Sequence, residues 1–290
     1  MLDVTMQDGT AVEVAVQGEG PAILLPFNPV PITGDQADEL RKWGFDPALG
    51  KTMMDGLTNR YRVVAFDYEG YVRRDPKPDT LTADYIARDF LTIADAAGAD
   101  VFAYYGYSWL AMAGMQLALR TDRLSALVMG GYPPLGGPYR EMLQATRAAL
   151  RMSLDNEAKP PEAEAEVPAT IDTDPADYDW DNVKVTALPP QAKQFLTLYE
   201  SLSVFDDHAA QSQLSCPRCC FAGSADRIEY NKSWGEVTVD IARPLLQHRE
   251  RLEALGWQVR VLDGLDHTAA MQPPAALPVL RAFLDSIEWR

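Results

Sequence analysis

Apolar side chains fall at every second position in Leu2-Val4-Met6 and again in Val12-Val14-Val16, on either side of Asp8-Gly9. Strict alternation marks a half-buried strand, and an Asp-Gly pair between two such stretches favours a tight hairpin turn. The chain is therefore predicted to open with two antiparallel strands. After residues 18–21 the pattern changes to short, wholly apolar runs: Ala22–Leu25, Val63–Phe66, Val101–Tyr105, Leu124–Met129, Cys219–Ala222 and Val259–Leu262. Short runs that are apolar on both faces suit strands covered above and below by crossover helices, the arrangement of a parallel sheet. Helical periodicity fills several of the gaps. Ile86, Phe90, Ile93 and Ala97 recur at steps of four, three and four, a single stripe for packing on a sheet, and Gly98 follows as a stop. A further helix is expected over residues 240–255, with Pro244 tolerated only near its first turn.

This alternation is interrupted once. From Pro133 to about Gln213 no parallel-strand candidate occurs, whereas Glu141–Met152 and Gln191–Phe205 read as helices. The chain thus divides into a first core part (residues 1–132), an inserted helical cap (133–213) and a second core part (214–290). The expected fold class is α/β, a mostly parallel, doubly wound sheet with an N-terminal antiparallel hairpin and that inserted cap. Residues 155–181 carry ten acids against Lys159 alone, together with Pro160, Pro161, Pro168 and Pro175, which predicts a mobile, solvated loop. A calcium-binding loop would need tighter ligand spacing around a central glycine, and the stretch lacks one.

Composition narrows the function classes. The chain has 290 residues, 47% hydrophobic and 23% charged, enough apolar material for a large core, so disorder or a disulfide scaffold is excluded as its main description. A net charge of −16 repels polyphosphates and anionic membrane surfaces, so neither nucleic acid nor membrane is an expected partner. No stretch approaches about 18 uninterrupted apolar residues, and the opening MLDVTMQDGT has neither a basic nor an apolar leader region, which predicts a cytoplasmic location. All three cysteines lie in Cys216-Pro217-Arg218-Cys219-Cys220, one thiolate short of a four-cysteine zinc site, and are read as buried thiols of a strand. No metal and no cofactor is expected, the expected partner is a small molecule, and nothing in the chain specifies an oligomeric state.

The apolar run ending at Tyr105 continues as Gly106-Tyr107-Ser108-Trp109-Leu110 and then as Ala111-Met112-Ala113-Gly114-Met115, a strand, an abrupt turn and a helix. A serine at that turn projects from the carboxyl end of a central strand, near the positive end of the following helix, where a developing oxyanion is favoured. A serine that merely starts a helix would look similar. At this point the chain resembles the α/β-hydrolase superfamily, whose nucleophile elbow reads G-x-S-x-G: Gly106 and Ser108 match, and Leu110 stands at the second glycine. The stretch YRVVAFDYEGYVRRD (residues 61–75) is similar to a second superfamily segment, with Asp67 and Gly70 in place and Val72 and Arg74 replacing its second glycine and its serine. Branches of the superfamily that use an aspartate nucleophile are disfavoured, because Ser108 fills that slot.

A serine hydroxyl needs a base, and the chain has three histidines. His208 and His248 lie in polar stretches and are expected to face solvent. His267, in Leu265-Asp266-His267, follows the last strand candidate, and loops leaving one carboxyl edge of a parallel sheet converge there. A carboxylate on a neighbouring loop should orient its imidazole. Asp226 fits, in a segment from Pro217 that looks like the superfamily's P-x-x-x-x-x-G-x-x-D acid loop; Asp263 and Asp266 are the alternatives. The order Ser108, Asp226, His267 is the superfamily's order of nucleophile, acid and base.

A tetrahedral intermediate also needs two backbone N–H donors. Trp109 would supply one and the loop after Leu25 the other. Where the superfamily usually carries His-Gly, this chain has Pro26-Phe27-Asn28-Pro29, so Phe27 or Asn28 must donate, the Asn28 side-chain amide also being at hand. Phe27, Tyr132, Tyr139, Phe195 and Tyr199 are candidate substrate contacts, each equally consistent with ordinary core. Two functions follow: a serine hydrolase for a small ester, lactone or related acyl compound working through an acyl-enzyme, or the same scaffold repurposed as a ligand-binding protein, a lyase-like acid–base catalyst or an acyltransferase.

Overall fold

The computed structural model describes residues 1–158 and 187–289. In chain order its elements are β1 (Leu2–Thr5), β2 (Ala11–Gln17), β3 (Ala22–Leu25), α1 (Asp35–Lys42), α2 (Leu49–Asp55), β4 (Arg62–Phe66), α3 (Tyr68–Arg74), α4 (Ala83–Ala96), β5 (Phe102–Tyr107), α5 (Trp109–Ala118), β6 (Leu124–Gly130), α6 (Tyr139–Glu157), α7 (Pro189–Ser201), α8 (Asp207–Ala210), β7 (Arg218–Gly223), β8 (Arg227–Tyr230), β9 (Val237–Asp240), α9 (Ala242–Gln247), α10 (Arg249–Ala254), β10 (Trp257–Leu262), α11 (His267–Met271) and α12 (Pro273–Leu284). The acidic stretch at 155–181 lies outside the described residues from 159 onward; Asp155 and Glu157 belong to α6.

Eight strands form one sheet in the order β1-β2-β4-β3-β5-β6-β7-β10. The opening hairpin pairs Val4 with Val12 in antiparallel register, with Gly9 supplying the positive φ (83°) of its turn. β2 is also antiparallel to β4, and the pairs β4/β3, β3/β5, β5/β6, β6/β7 and β7/β10 are all parallel. The apolar runs read from the sequence are these parallel strands. In β4, Val64 and Phe66 join the core on one face and Val63 and Ala65 the core on the other, and in β5 Phe102 and Tyr104 separate in the same way from Ala103, Tyr105 and Tyr107. Burying each such side chain contributes about 1.5–3 kcal/mol, which is why both faces must be covered. The first face packs α4, α5 and the α6–α7 helices, the second α2 and α12.

Two details depart from the expected elements. The helix expected over 240–255 is two helices, α9 and α10, parted at His248 (φ −101°, ψ 9°), with Pro244 at the third position of α9, where no intrahelical donor is required. Residues 227–240 form a separate antiparallel pair, β8 with β9, joined through a 3-10 turn at Lys232–Trp234 that is followed by Gly235 and Glu236, both at positive φ. Ile228, Tyr230, Val237 and Val239 alternate as strands should, but over stretches of four residues the signal is faint.

Candidate active site

Ser108 follows β5 directly and is the N-cap of α5, at φ 56°, ψ −130°. A non-glycine residue held there costs about 1–3 kcal/mol and persists only where its surroundings fix it. Here they do: the Ser108 N–H donates to the Gly130 carbonyl of β6 (2.8 Å), and its carbonyl accepts from the N–H groups of Ala111 and Met112. The side chain makes no capping bond to its own helix, so the hydroxyl is free for other work. A Cβ on Gly106 would lie 2.4 Å from the Leu110 carbonyl oxygen, the physical reason a glycine precedes the serine by two. Leu110, at the second glycine position, is buried in the core, and its carbonyl accepts the Tyr104 hydroxyl (2.8 Å).

His267 and Asp226 are brought together from loops after β10 and β7. Nδ1 of His267 lies 3.0 Å from each carboxylate oxygen of Asp226, which is fully buried. The two loops are laced by two backbone bonds, Ser224 N–H to Leu262 C=O and Ala225 N–H to Leu265 C=O, and by Gly264 N–H donating to the Ser224 hydroxyl. Gly223 is where they touch, since a Cβ there would meet the Leu265 carbonyl at 1.9 Å. That contact explains the glycine of the acid-loop pattern. The alternatives to Asp226 are occupied elsewhere, Asp266 capping α11 through Ala269 N–H and Asp263 accepting from Ser224.

Tyr107 was not among the expected site residues. Its hydroxyl donates to the His267 carbonyl (2.8 Å) and its ring stands 5.1 Å from the imidazole, so the residue next to Ser108 seats the histidine. Only its place inside the elbow pointed to it. Among the described residues no hydrogen bond joins Ser108 Oγ to His267. The other histidines lie together, ring centroids 5.6 Å apart: His208 is exposed, and His248 is half-buried rather than solvent-facing.

The donors for an oxyanion are only partly supplied. Trp109 is the first residue of α5, where backbone N–H groups have no intrahelical acceptor. Phe27 cannot serve, because its N–H donates to the Leu25 carbonyl (2.8 Å). Asn28 remains, with its side-chain oxygen turned to Val30 N–H (2.9 Å) and its amide NH2 uncommitted to that turn. The loop approaches α2 so closely that a Cβ on Gly50 would meet the Asn28 carbonyl at 2.1 Å.

The aromatic candidates divide between the two faces of the sheet. Phe27 stacks on Tyr105 (5.5 Å) in the α2/α12 core, apart from the other four. Phe195 meets Trp109 edge to face at 5.3 Å, and Tyr132 and Tyr139 pack edge to face at 5.6 Å. Tyr132 and Tyr199 are buried, Tyr139 and Phe195 half-buried. Helix α7, which carries Phe195 and Tyr199, is moored to residues 72–78 by side-chain bonds: Gln194 Nε2 donates to Val72 C=O, Lys77 N–H donates to Gln194 Oε1, and Thr197 Oγ1 donates to Pro78 C=O.

Cys219 and Cys220 are buried in β7 and no cysteine forms a disulfide; burial pushes the Cys219 thiol up to about 12. Among the described residues no three His, Cys, Asp or Glu side chains are placed to hold a metal ion, and no helix is long and apolar enough to cross a membrane.

No protein-family model and no curated relative matches the chain. Solved structures do. An esterase from Thermogutta terrifontis aligns over 98% of this chain and 97% of its own at 18% identity (TM-score 0.58), and epoxide hydrolases of the alpha/beta hydrolases superfamily from hot-environment metagenomes over 99% and 98% at 15% identity (0.55). A protein that recognises and cleaves the ring of the Pseudomonas quinolone signal aligns over 99% and 100% at 15% identity (0.63).

Proposed function

From the premise that the chain has the α/β-hydrolase fold, we propose that it is a serine hydrolase of a small ester or lactone, with the α6–α8 segment as its cap. The observation that carries this reading is the buried Asp226 on Nδ1 of His267, which fixes the tautomer and leaves Nε2 as the base. Ser108 Oγ attacks the carbonyl carbon as its proton passes to Nε2. The tetrahedral intermediate collapses, the alcohol leaves with that proton, and an acyl-enzyme remains. Water, deprotonated by the same nitrogen, attacks the acyl carbon; the acid departs and the Ser108 proton is restored. The oxyanion is held by Trp109 N–H and by Asn28.

A fluorophosphonate should label the protein in one-to-one amount and Ser108→Ala should abolish both labelling and p-nitrophenyl ester turnover. Asp226→Asn should lower turnover by about 10⁴, since it favours the wrong tautomer. A wild type that neither labels nor turns over esters, yet gains thermal stability with a bound ligand, would establish the binding reading instead. The engaged N–H of Phe27 is the observation that favours this second reading, because loss of one oxyanion donor costs about 10²–10³ in turnover.

A further inference from the structure

Three phenols meet where the α6–α7 helices cover the carboxyl edge of the sheet. Tyr132 lies two residues beyond Gly130, whose carbonyl holds the Ser108 N–H. Tyr199 is one helical turn from Phe195, which touches Trp109, so both present the same side of α7. The Tyr132 hydroxyl lies within hydrogen-bonding reach of those of Tyr139 and Tyr199, and the buried hydroxyls of Tyr132 and Tyr139 have no partner outside this trio. Three phenols in an open row satisfy at most two O–H donors among themselves, so one donor is always left over.

Buried hydroxyls without partners destabilise a fold, and phenylalanine would fill the same space without that cost. A donor left over at this place is available to the oxygen of a ligand. Burial pushes all three phenols up, so they stay protonated and act as donors. The charged groups acting on Tyr132 and Tyr139 are the acids Asp207 and Glu141, which oppose an anionic ligand.

We propose that Tyr132, Tyr139 and Tyr199 form a subsite for an uncharged oxygen, a carbonyl, ether or hydroxyl, carried by the substrate apart from its scissile ester. The proposal rests on the hydrolase reading for turnover but not for binding. The hydroxyls of Tyr132 and Tyr139 are shut from solvent in this structure, and Tyr139 and Phe195 are the half-buried residues of the group, the side from which a ligand would enter.

The test compares p-nitrophenyl hexanoate, its 5-oxo analogue and the p-nitrophenyl monoester of hexanedioic acid. The wild type should prefer the oxo ester to hexanoate by about 10-fold or more in kcat/KM, roughly one good hydrogen bond, and should disfavour the charged ester. In Tyr132→Phe and Tyr139→Phe the ratio should approach one, with melting temperatures no lower than the wild type's showing that the fold is intact. Calorimetry of ethyl 5-oxohexanoate and ethyl hexanoate on Ser108→Ala reads the same preference without hydrolysis. Preferential binding of the oxo ester there, lost when the phenols are removed, supports the subsite even if the wild type hydrolyses nothing. Equal binding of the two ethyl esters, or preference for the charged ester, overturns it even if the wild type is an active esterase.

Discussion

Two polar clusters touch α7, one built on matched charges and one on uncharged hydroxyls. In the first, Lys77, only 6% exposed, places its ammonium 2.5 Å from Asp8 and over the Tyr71 ring, while Asp8 also accepts from Thr10. Asp89, fully buried, accepts from Tyr68 and Gln7, and Gln194 ties the cluster to α7. Every charged group there has a partner. In the second, the phenols of Tyr132 and Tyr139 have no partner beyond one another and Tyr199. A cluster whose charges are matched within the protein spends its hydrogen bonds on placing α7. One with donors left over gives up stability for something that binds, and both are expressed through the same helix.

The sharpest way to break this contrast is to unbalance the matched cluster. Asp8→Asn keeps the turn and the volume but leaves the buried Lys77 ammonium without its counter-ion; because Asp8 itself is open to solvent, the cost in urea unfolding should be about 1–3 kcal/mol. A loss under about 1 kcal/mol would place the pair with exposed ones. The pH dependence comes next. Burial pushes the Asp89 carboxyl up to about 6 against the hydrogen bonds of Tyr68 and Gln7 that favour its charged form. Since its folded value exceeds the unfolded one, the folded state holds the extra proton between about pH 4 and 6. Its contribution is therefore full below pH 4 and lost as pH rises through 6, by up to about 3 kcal/mol. The stability difference between wild type and Asp89→Asn, followed by urea melts from pH 4 to 7, should fall by that amount; a constant difference refutes it.

Gln194→Ala should cost about 1–3 kcal/mol, because Lys77 N–H and Val72 C=O lose their buried partner, and amide exchange in α7 should quicken with it. The smallest effect is on the open side. Tyr132→Phe should leave stability unchanged or raise it by up to about 1 kcal/mol. A drop of similar size would mean that its hydroxyl is satisfied within the protein, and the contrast between the clusters would dissolve.

How much of this was legible in the chain differs from element to element. Ala22–Leu25 is β3 to the residue, because a strand covered on both faces must be apolar throughout and a short apolar run between turn residues has few other uses. Ser108 and Gly106 were legible because the elbow is local: one glycine is forced by one carbonyl 2.4 Å from where its Cβ would stand. Asp226 was legible through the spacing from Pro217 to Gly223. Tyr107 was missed, as was the engagement of Phe27 N–H by Leu25, since the first bond spans 160 residues and the second depends on how one loop bends over α2.

The sequence by itself determined where the parallel strands lie, the helical stretch between β6 and β7, and the candidates for nucleophile, acid and base, since periodicity and short motifs depend on neighbours a few residues apart. Tertiary structure alone decided which side of the sheet each aromatic ring occupies, which N–H groups are left to donate, and which buried hydroxyls go unmatched. Those outcomes depend on pairs of groups far apart along the chain, and a polar atom is satisfied or orphaned only by what folding places beside it.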